Sequence, residues 1–223
     1  MSEQKDLARK RTKEIAADFA ERGDHVGWFD ALYRESHGDT TKIPWADLEP
    51  NKYLKQWVES NGLEGGGRSA LVVGCGLGDD AKYLHDLGFK VTAFDISPTA
   101  IEWAKRLYPD EGITFQVADL LQPPKQWERK FDFVLEVYTI QPLPLAIREQ
   151  VIDSVASFVA ASGELLVVTR GRPVDLEPDE LPWPLSRRDL ERFAEQGLKE
   201  RSFTEMEGEE DEPPRFVVHY LRV

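Results

Sequence analysis

From about residue 67 onward, short apolar runs alternate with segments in which apolar residues recur every three or four positions. The runs predict strands and the longer segments predict helices. The predicted strands cover residues 69–73, 90–94, 113–117, 131–137, 164–169, 203–206 and 216–221, and the predicted helices cover 79–87, 98–107, 147–158 and 188–195. This alternation predicts an α/β fold with a mostly parallel seven-stranded sheet, helices on both faces and an antiparallel strand at the C-terminal end.

Residues 1–62 lack this alternation and predict helices joined by loops. The first 23 residues are charged throughout. They therefore lack the apolar stretch of a signal peptide and predict an amphipathic helix. A glycine-rich joint at 61–67 follows. We expect a helical N-terminal cap over 1–62 and an α/β domain over 63–223.

Composition narrows the class of partner. The 223 residues include 41 acidic and 28 basic side chains, a formal net charge of −13, which argues against a surface that tracks nucleic-acid phosphates. One cysteine allows no internal disulfide, and four scattered histidines give no metal-ligand spacing. No apolar run approaches the roughly 18 residues that span a bilayer. We expect a cytoplasmic monomer or homodimer without a metal, nucleic-acid or membrane partner.

Residues 71–80, Leu-Val-Val-Gly-Cys-Gly-Leu-Gly-Asp-Asp, place three alternating glycines between a predicted strand and a predicted helix. Glycine permits a sharp turn and lets a ligand approach the backbone. The spacing G-x-G-x-G differs from the dinucleotide pattern G-x-G-x-x-G, and Asp79 stands where that pattern has its third glycine. Asp79 and Asp80 lie in the first turn of the predicted helix, where the positive end of the helix dipole stabilises a negative charge. The same two carboxylates would repel a pyrophosphate and attract a cationic ligand.

Acidic residues also follow the next two strands. Asp95 lies at the end of the second predicted strand, about 20 residues after the first glycine, where a carboxylate can accept the hydroxyls of a ribose. Ser97 already fits the N-cap of the following helix, so capping does not account for Asp95. Ile96 is placed to pack on an adenine. Asp119 follows the third strand, where an adenine amino group can donate to it.

Together these residues resemble the class I S-adenosylmethionine (SAM)-dependent methyltransferases over about residues 67–223, and residues 131–136 are similar to that family's fourth-strand motif. The resemblance implies a Rossmann-like fold, SAM as the cofactor and S-adenosylhomocysteine (SAH) as the product. In that family the glycine loop holds the methionine part of SAM, the second-strand acid binds the ribose and the third-strand acid borders the adenine. The implied cofactor-binding residues are Trp45, Gly74, Cys75, Gly76, Gly78, Asp80, Asp95, Ile96, Asp119, Leu120 and Glu136.

A narrower resemblance lies in the N-terminal segment. Residues 28–33 and 43–50, which contain the pair Pro44-Trp45, are similar to the lead-in of the thiopurine and halide/thiol methyltransferases. That resemblance implies a position of Trp45 close to SAM. The alternative is that Trp45 and its aromatic neighbours pack the core of the N-terminal cap.

The acceptor is expected beyond the fourth strand, because in the resembled family the end of this strand faces the transferable methyl group. Glu136 and Tyr138 are the candidate catalytic residues, since either side chain can orient an acceptor or accept its proton. Two other roles remain open for Glu136. It can hold the SAM ammonium group, or it can cap the loop.

Two loops differ in their expected roles. The loop at 170–184 is long for a compact domain and predicts a roof over the acceptor, with Arg170 and Arg172 as candidates for holding an acidic acceptor. The loop at 207–214 is acidic and rich in turn residues. It predicts a solvated hairpin without a role in the site.

These features predict a SAM-dependent methyltransferase that acts on a nitrogen, oxygen or sulfur atom of a small molecule. Asp95 alone would also permit an NAD(P)-dependent oxidoreductase. Asp79 weakens that alternative, as does the lack of a Ser-Tyr-Lys or His proton relay after the fourth strand. A non-catalytic SAM-binding protein remains open, and so does a protein acceptor.

Overall fold

The computed structural model describes residues 3–109, 112–178, 181–208 and 212–223. Within them the sheet has seven strands: β1 (Ser69–Val73), β2 (Lys90–Asp95), β3 (Thr114–Val117), β4 (Phe131–Val137), β5 (Val159–Arg170), β6 (Leu198–Met206) and β7 (Arg215–Arg222). Their order across the sheet is β3-β2-β1-β4-β5-β7-β6. Strands β1 to β5 are parallel, and β7 is antiparallel to both β5 and β6. The predicted Rossmann-like fold, mostly parallel with an antiparallel C-terminal strand, is confirmed.

The described helices are α1 (Glu3–Ala20), α2 (Gly27–Glu35), α3 (Lys52–Asn61), α4 (Asp79–Asp86), α5 (Pro98–Leu107), α6 (Arg148–Ser157) and α7 (Arg187–Glu195). Side chains cap the N-termini of three of them, α3, α5 and α7. As predicted, Ser97 caps α5, because its Oγ accepts from the Ala100 N–H at 3.0 Å. Ser186 and Asp189 form a capping box at α7. None of the described helices is long and apolar enough to cross a membrane.

Two strands begin earlier than the apolar pattern predicts. Strand β5 starts at Val159, which pairs with Phe131, and a register shift precedes the next pair, Glu164 with Phe133. Ser162 in this irregular stretch has a φ of +58°, so the alternation of side chains is broken there. Strand β6 starts at the buried Leu198, but residues 199–202 are polar and exposed at the sheet edge. Neither stretch carries an apolar alternation.

The core has a layer on each face of the sheet, because successive strand residues point to opposite sides. In β1, Leu71 and Val73 belong to one layer, whereas Ala70 and Val72 belong to the other. The first layer packs against α6 and α7, and the second packs against α3, α4 and α5. This arrangement leaves the carboxyl ends of the parallel strands open, which is where such sheets bind ligands.

A third apolar cluster attaches the N-terminal helices to that edge of the sheet. Its members are Ile15 of α1, Trp28, Leu32 and Tyr33 of α2, Trp103 of α5 and Leu77 in the turn before α4. The Asp30 carboxylate reinforces it by accepting from Ser97 Oγ at 2.8 Å and from the Thr99 N–H at 3.1 Å. The N-terminal helices therefore lie over the turns that follow β1 and β2.

Candidate active site

A cleft of about 1330 Å³ opens at the carboxyl edge of the sheet, between the strand ends and the N-terminal helices. Pockets for one small ligand are typically about 300–1,000 Å³, so this cleft has room for two molecules side by side. The turns after β1, β2, β3, β4 and β5 all contribute to its wall. The chemistry of the wall differs from one end to the other.

The turn from β1 to α4 forms the floor of one end. Gly74 has a φ of +60°, and a Cβ there would lie 2.5 Å from the Thr139 side chain, so only glycine fits. Gly76 lines the cleft beside it, and the Cys75 N–H fixes the turn by donating to the Phe94 carbonyl at 2.8 Å. A backbone without side chains is thereby exposed to a ligand.

Gly78 is placed differently from the other two glycines. It is the N-cap of α4 with a φ of +93°, and it does not line the cleft. A Cβ at this position would lie 2.8 Å from the Phe115 ring. The lack of a side chain at Gly78 allows α4 to pack closely against β3, and a contact between Gly78 and the cofactor stays a prediction.

Asp95 joins the two turns at the centre of this end. Its Oδ2 accepts from the Gly76 N–H at 2.9 Å, and its Oδ1 accepts from the Ser97 N–H at 2.9 Å. The side chain lines the cleft although the residue is only 8% exposed. Burial raises the pKa of this carboxyl group. Because each carboxylate oxygen has two lone pairs, each can still accept a ligand hydroxyl.

Residues from the next two turns continue the wall on one side of Asp95. Ile96, Asp119 and Leu120 all line the cleft. The Asp119 Oδ1 accepts from the Leu121 N–H at 2.8 Å, which fixes the turn after β3. The structure thus brings together the residues that the resemblance implies for the ribose and the adenine.

On the other side of the glycine turn, two carboxylates stand at the start of α4. The Asp79 Oδ1 accepts from Tyr108 Oη at 2.6 Å, and the Asp80 Oδ1 accepts from the Asn51 N–H at 2.7 Å. Burial is the main cause that raises the pKa of Asp80 to about 6, and it also raises the pKa of Asp79. A cation bound between them would favour their ionised form, so this corner of the cleft fits a positively charged group.

Aromatic side chains of the N-terminal segment cover the glycine turn. Trp45 Nε1 donates to Tyr33 Oη at 2.8 Å, and that oxygen lies 3.1 Å from where a Cβ on Gly76 would be. Trp45 is 39% exposed and lines the cleft, whereas Trp28 is buried. Tyr33 was not predicted as a site residue. Its position within the aromatic motif at 28–33 was the available signal.

Glu136 does not take the position expected for a catalytic or cofactor-binding residue. It is fully buried in β4 and does not line the cleft. Its Oε1 accepts from the N–H groups of Thr139 and Ile140 at 2.6 and 3.0 Å, while its Oε2 has no hydrogen-bond partner among the described residues. Burial raises its pKa to about 7. Glu136 therefore holds the turn after β4 through these two hydrogen bonds. The side chains that reach the cleft at this turn include those of Val137, Tyr138 and Thr139.

Tyr138 does reach the cleft, in the half beyond the glycine turn. Its φ is +59°, a conformation that is rare for a bulky residue, and its N–H donates to the Val168 carbonyl at 3.0 Å. The phenol oxygen accepts from Arg215 Nε at 3.0 Å. Burial raises the pKa of the phenol, so Tyr138 is protonated at neutral pH.

Beside Tyr138, three guanidinium groups share one carboxylate. Arg9 Nη2 lies 2.8 Å and Arg170 Nη2 lies 3.5 Å from the Glu212 carboxylate, and Arg215 also hydrogen-bonds to it. All four residues line the cleft, and we call them the arginine cluster. The expectation that the loop at 207–214 is solvated is therefore corrected at Glu212, whereas residues 209–211 of this loop lie outside the described residues. Ion pairs to residues distant in sequence hold Glu212 against the wall.

The loop after β5 covers this half of the cleft and is fixed to the domain below. Arg172 Nη1 donates to the Leu176 carbonyl at 2.6 Å, and its Nη2 lies 3.1 Å from the Asp189 carboxylate. Arg148 Nη2 donates to the Trp183 carbonyl at 2.8 Å. Arg172 therefore holds the loop, whereas the Arg170 side chain is directed toward Glu212 in the arginine cluster. Residues 179 and 180 of this loop lie outside the described residues.

The described residues contain no group of three or more His, Cys, Asp or Glu side chains that could hold a metal ion.

Comparison with known proteins supports the class that the fold and the cleft indicate. Residues 70–163 match the model of a family described as a methyltransferase domain. A curated relative is the 2-heptyl-1-hydroxyquinolin-4(1H)-one methyltransferase of Mycobacteroides abscessus, which is 25% identical over 170 residues that cover 73% of this chain and 72% of that protein.

Solved structures show the same fold. The 1,6-didemethyltoxoflavin-N1-methyltransferase of Burkholderia thailandensis, with bound SAH, has a TM-score of 0.68 at 14% identity and covers 87% of each chain. The N-methyltransferase NodS of Bradyrhizobium japonicum, also with SAH, has a TM-score of 0.64 at 19% identity and covers 86% of this chain and 96% of that one.

These findings together define a methyltransferase. The chain is a methyltransferase with SAM as its cofactor, and it shares the fold of solved methyltransferases that bind SAH. The cleft fits this cofactor, because Gly74 has no side chain and a ligand can approach its backbone. Thr139 leaves no space for a Cβ at this position. The carboxylates of Asp79 and Asp80 complement the sulfonium and ammonium charges, and Asp95 has lone pairs left for the ribose hydroxyls.

Proposed function

We propose that the protein transfers the methyl group of SAM to a nitrogen, oxygen or sulfur atom of a small molecule bound in the same cleft. The observation that carries this proposal is the division of one cleft of about 1330 Å³ into two halves. One half is formed by the glycine turn and carboxylates, which suit the cofactor. The other is formed by Tyr138, the arginine cluster and the loop after β5, which suit a second molecule.

In the cofactor half, we assign each residue to a part of SAM from the chemical group that the residue presents to the cleft. The backbone of 74–76 holds the methionine part of SAM, with Asp80 near its cationic groups. Asp95 accepts the ribose hydroxyls. Ile96 and Leu120 flank the adenine. Asp119 accepts from the adenine amino group.

The helical segment 1–62 acts in this proposal as a cap, in which α1 and α2 close the cofactor half while α3 packs against a face of the sheet. Trp45 supports the assignment, because it lines the cleft above the glycine turn and its ring can attract a sulfonium. A position of Trp45 next to SAM would also agree with the narrower likeness to the thiopurine and halide/thiol methyltransferases, which rests on residues 28–33 and 43–50.

SAM supplies a methyl group that the sulfonium already activates, so the protein's contribution is positioning and the exclusion of water. Tyr138 is suited to positioning. Its oxygen accepts from Arg215 Nε, and its phenol O–H can donate to a lone pair of the acceptor. The raised pKa of this phenol keeps the hydrogen in place at neutral pH. The loop after β5 and the N-terminal helices shield the cleft from water.

Cofactor choice can be tested by thermal unfolding. SAM or SAH at about 100 times its dissociation constant stabilises the folded state by roughly 2.7 kcal/mol, which raises Tm by several degrees in a chain of this size. NADH should give no shift, because its pyrophosphate would be repelled by Asp79 and Asp80. A shift with NADH and none with SAM would favour the oxidoreductase instead.

A panel of thiols, amines, phenols and carboxylic acids incubated with methyl-labelled SAM tests the transfer itself. Label recovered in a small molecule supports the proposal and identifies the accepting atom. SAM binding with no transfer to any member would favour a non-catalytic SAM-binding protein.

Tyr138→Phe tests the acceptor half. The variant loses one neutral hydrogen bond to the acceptor, worth about 0.5–1.5 kcal/mol, so kcat/KM for an acceptor from the panel should fall about two- to tenfold. The Kd of SAM should remain within twofold, because Tyr138 lies outside the cofactor half. Tyr83→Phe, on α4 and away from the cleft wall, is the matched control. Equal kcat/KM values for the two variants would remove Tyr138 from the site.

A further inference from the structure

The arginine cluster has more positive than negative charge among the described residues. Arg170 and Arg215 contribute two cations and Glu212 contributes one anion. Arg9, the third cation at this carboxylate, is more exposed and has a further interaction, so it is not counted in the excess. The Arg215 and Glu212 side chains are only 6% and 10% exposed. This excess charge lies in the wall of the cleft of a protein whose net charge is −13, so a general basicity of the chain does not account for it.

Burial makes the charge excess costly. A cation that loses water needs a partner of opposite charge. Arg170 is the least compensated member, because its guanidinium lies 3.5 Å from a carboxylate that it shares with two other arginines. Burial lowers the pKa of Arg170, which is the direction expected for an incompletely compensated cation. An anion entering the cleft would supply the missing charge.

We propose that the methyl acceptor is an organic monoanion whose carboxylate binds Arg170 and Arg215 next to Tyr138. The inference rests on the proposed function, since it names the class of molecule in the acceptor half. A carboxylate matches the planar fork of a guanidinium. One negative charge balances the excess of Arg170 and Arg215 over Glu212, whereas a dianionic phosphate would be repelled by that same Glu212.

The rest of the cleft fixes the direction of such a molecule. Asp79, Asp80 and Asp95 also line the cleft and repel a carboxylate, so the anionic group of the acceptor is directed toward the arginine cluster and not toward them. The wall of the cleft also includes apolar side chains, namely Phe29, Pro142, Leu143 and Leu176. The acceptor therefore has an apolar body between its carboxylate and the atom that receives the methyl group.

Matched pairs of aromatic acids and their primary amides test the proposal by calorimetry on the SAH-bound protein. Benzoate with benzamide and indole-3-carboxylate with indole-3-carboxamide are suitable pairs, because each amide keeps the shape and removes the charge. The acids should bind at least about tenfold more tightly than the amides, as expected for hydrogen bonds to a charged group. That preference should weaken as KCl is raised.

Two variants assign the preference to the arginine cluster. Arg170→Gln should lower the affinity for the acids about 10- to 100-fold and leave the amides within twofold. Glu212→Gln removes the competing carboxylate and should strengthen binding of the acids, which loss of a merely structural contact would not do. Arg201→Gln, at an exposed position on β6, removes the same charge outside the cleft and should change neither class.

The outcomes separate this proposal from the proposed function. Wild-type protein that binds SAH but does not prefer acids over amides overturns the anionic acceptor and leaves the methyltransferase intact. Unchanged affinity for the acids in Arg170→Gln also overturns it. If SAH does not bind, and the protein without SAH still prefers acids over amides, the result contradicts the assignment of the cofactor half instead.

Discussion

Asp95→Ala is expected to weaken SAM binding by about 1.5–3 kcal/mol, which is roughly a 10- to 150-fold increase in Kd. The reason is that a charged acceptor is lost from the ribose position. Its carboxylate lies in the wall of the cleft, and each oxygen uses only one lone pair for the backbone. Calorimetric titration of SAM into wild type and variant measures the change directly.

The same substitution also has a structural cost, which the sequence alone does not indicate. From sequence, an acid at a strand end facing a cleft is not part of the core, so its removal should leave the fold unaffected. The structure shows that Asp95 accepts from Gly76 and Ser97 and is only 8% exposed. Two N–H groups then lose their partners in Asp95→Ala, at about 1–3 kcal/mol for each that stays unsatisfied.

Asp95→Asn separates the two effects, because an amide keeps one acceptor oxygen but removes the charge. Its free energy of unfolding in urea should lie between those of wild type and Asp95→Ala, and its SAM affinity should still fall. Normal SAM affinity in both variants would show that the ribose lies elsewhere. A loss of affinity in Asp95→Ala alone would indicate that only the shape of the turn matters.

The local pattern of the chain was sufficient to predict most of the fold. Runs of apolar residues marked β1 and β4 at their observed bounds, and Ser97 marked the start of α5. The first halves of β5 and β6 were missed for a physical reason. A register shift interrupts β5, and β6 is solvated at the sheet edge, so neither shows the alternation by which a half-buried strand is recognised.

The parts of the site that could be predicted are those in which a single strand end contains a recognisable motif or an acidic residue. The turn at 74–76, Asp95 and Asp119 could be placed at one edge because parallel strands present their carboxyl ends together. Arg170 was predicted as a candidate for holding an acidic acceptor, but its grouping with residues 9, 212 and 215 could not be predicted, since these residues meet only through the tertiary fold.

Glu136 shows a different limit of sequence analysis. Its position in the chain indicated a residue at the end of β4, but not whether its carboxylate points into the cleft or under the turn. The structure gives the second answer, with Oε1 bonded to Thr139 and Ile140. Thr139 in turn fills the space beside Gly74. Glu136 therefore supports the glycine turn, and its side chain does not line the cleft.

Glu136→Gln is accordingly expected to change the pH dependence of stability. Burial raises the pKa of this carboxyl group from its usual 4.5 to about 7. Because the folded state holds the proton more tightly than the unfolded chain, stability is fully present below pH 4.5 and falls as the pH rises through 7. The total loss is about 3 kcal/mol, of which roughly 2–3 kcal/mol falls between pH 5 and pH 8.

Glutamine keeps an acceptor oxygen for Thr139 and Ile140 but does not titrate. The free energy of unfolding in urea, measured at pH 5 and pH 8, should therefore rise by roughly 2–3 kcal/mol in the variant relative to wild type across this range. The comparison must be between the two proteins, because burial raises the pKa values of Asp80 and Asp95 as well and gives both a slope of the same sign. Glu149→Gln, at a side chain that is 82% exposed, is the control for removing one negative charge.

The affinity for SAM is the second readout of Glu136→Gln. It should stay within about 1 kcal/mol of wild type, the worth of one hydrogen bond, because the side chain does not line the cleft. Parallel stability curves for Glu136→Gln and wild type would show that the carboxyl group titrates normally and is not desolvated in solution. A large loss of SAM affinity with normal stability would instead return Glu136 to the cofactor site, where it would bind the SAM ammonium group.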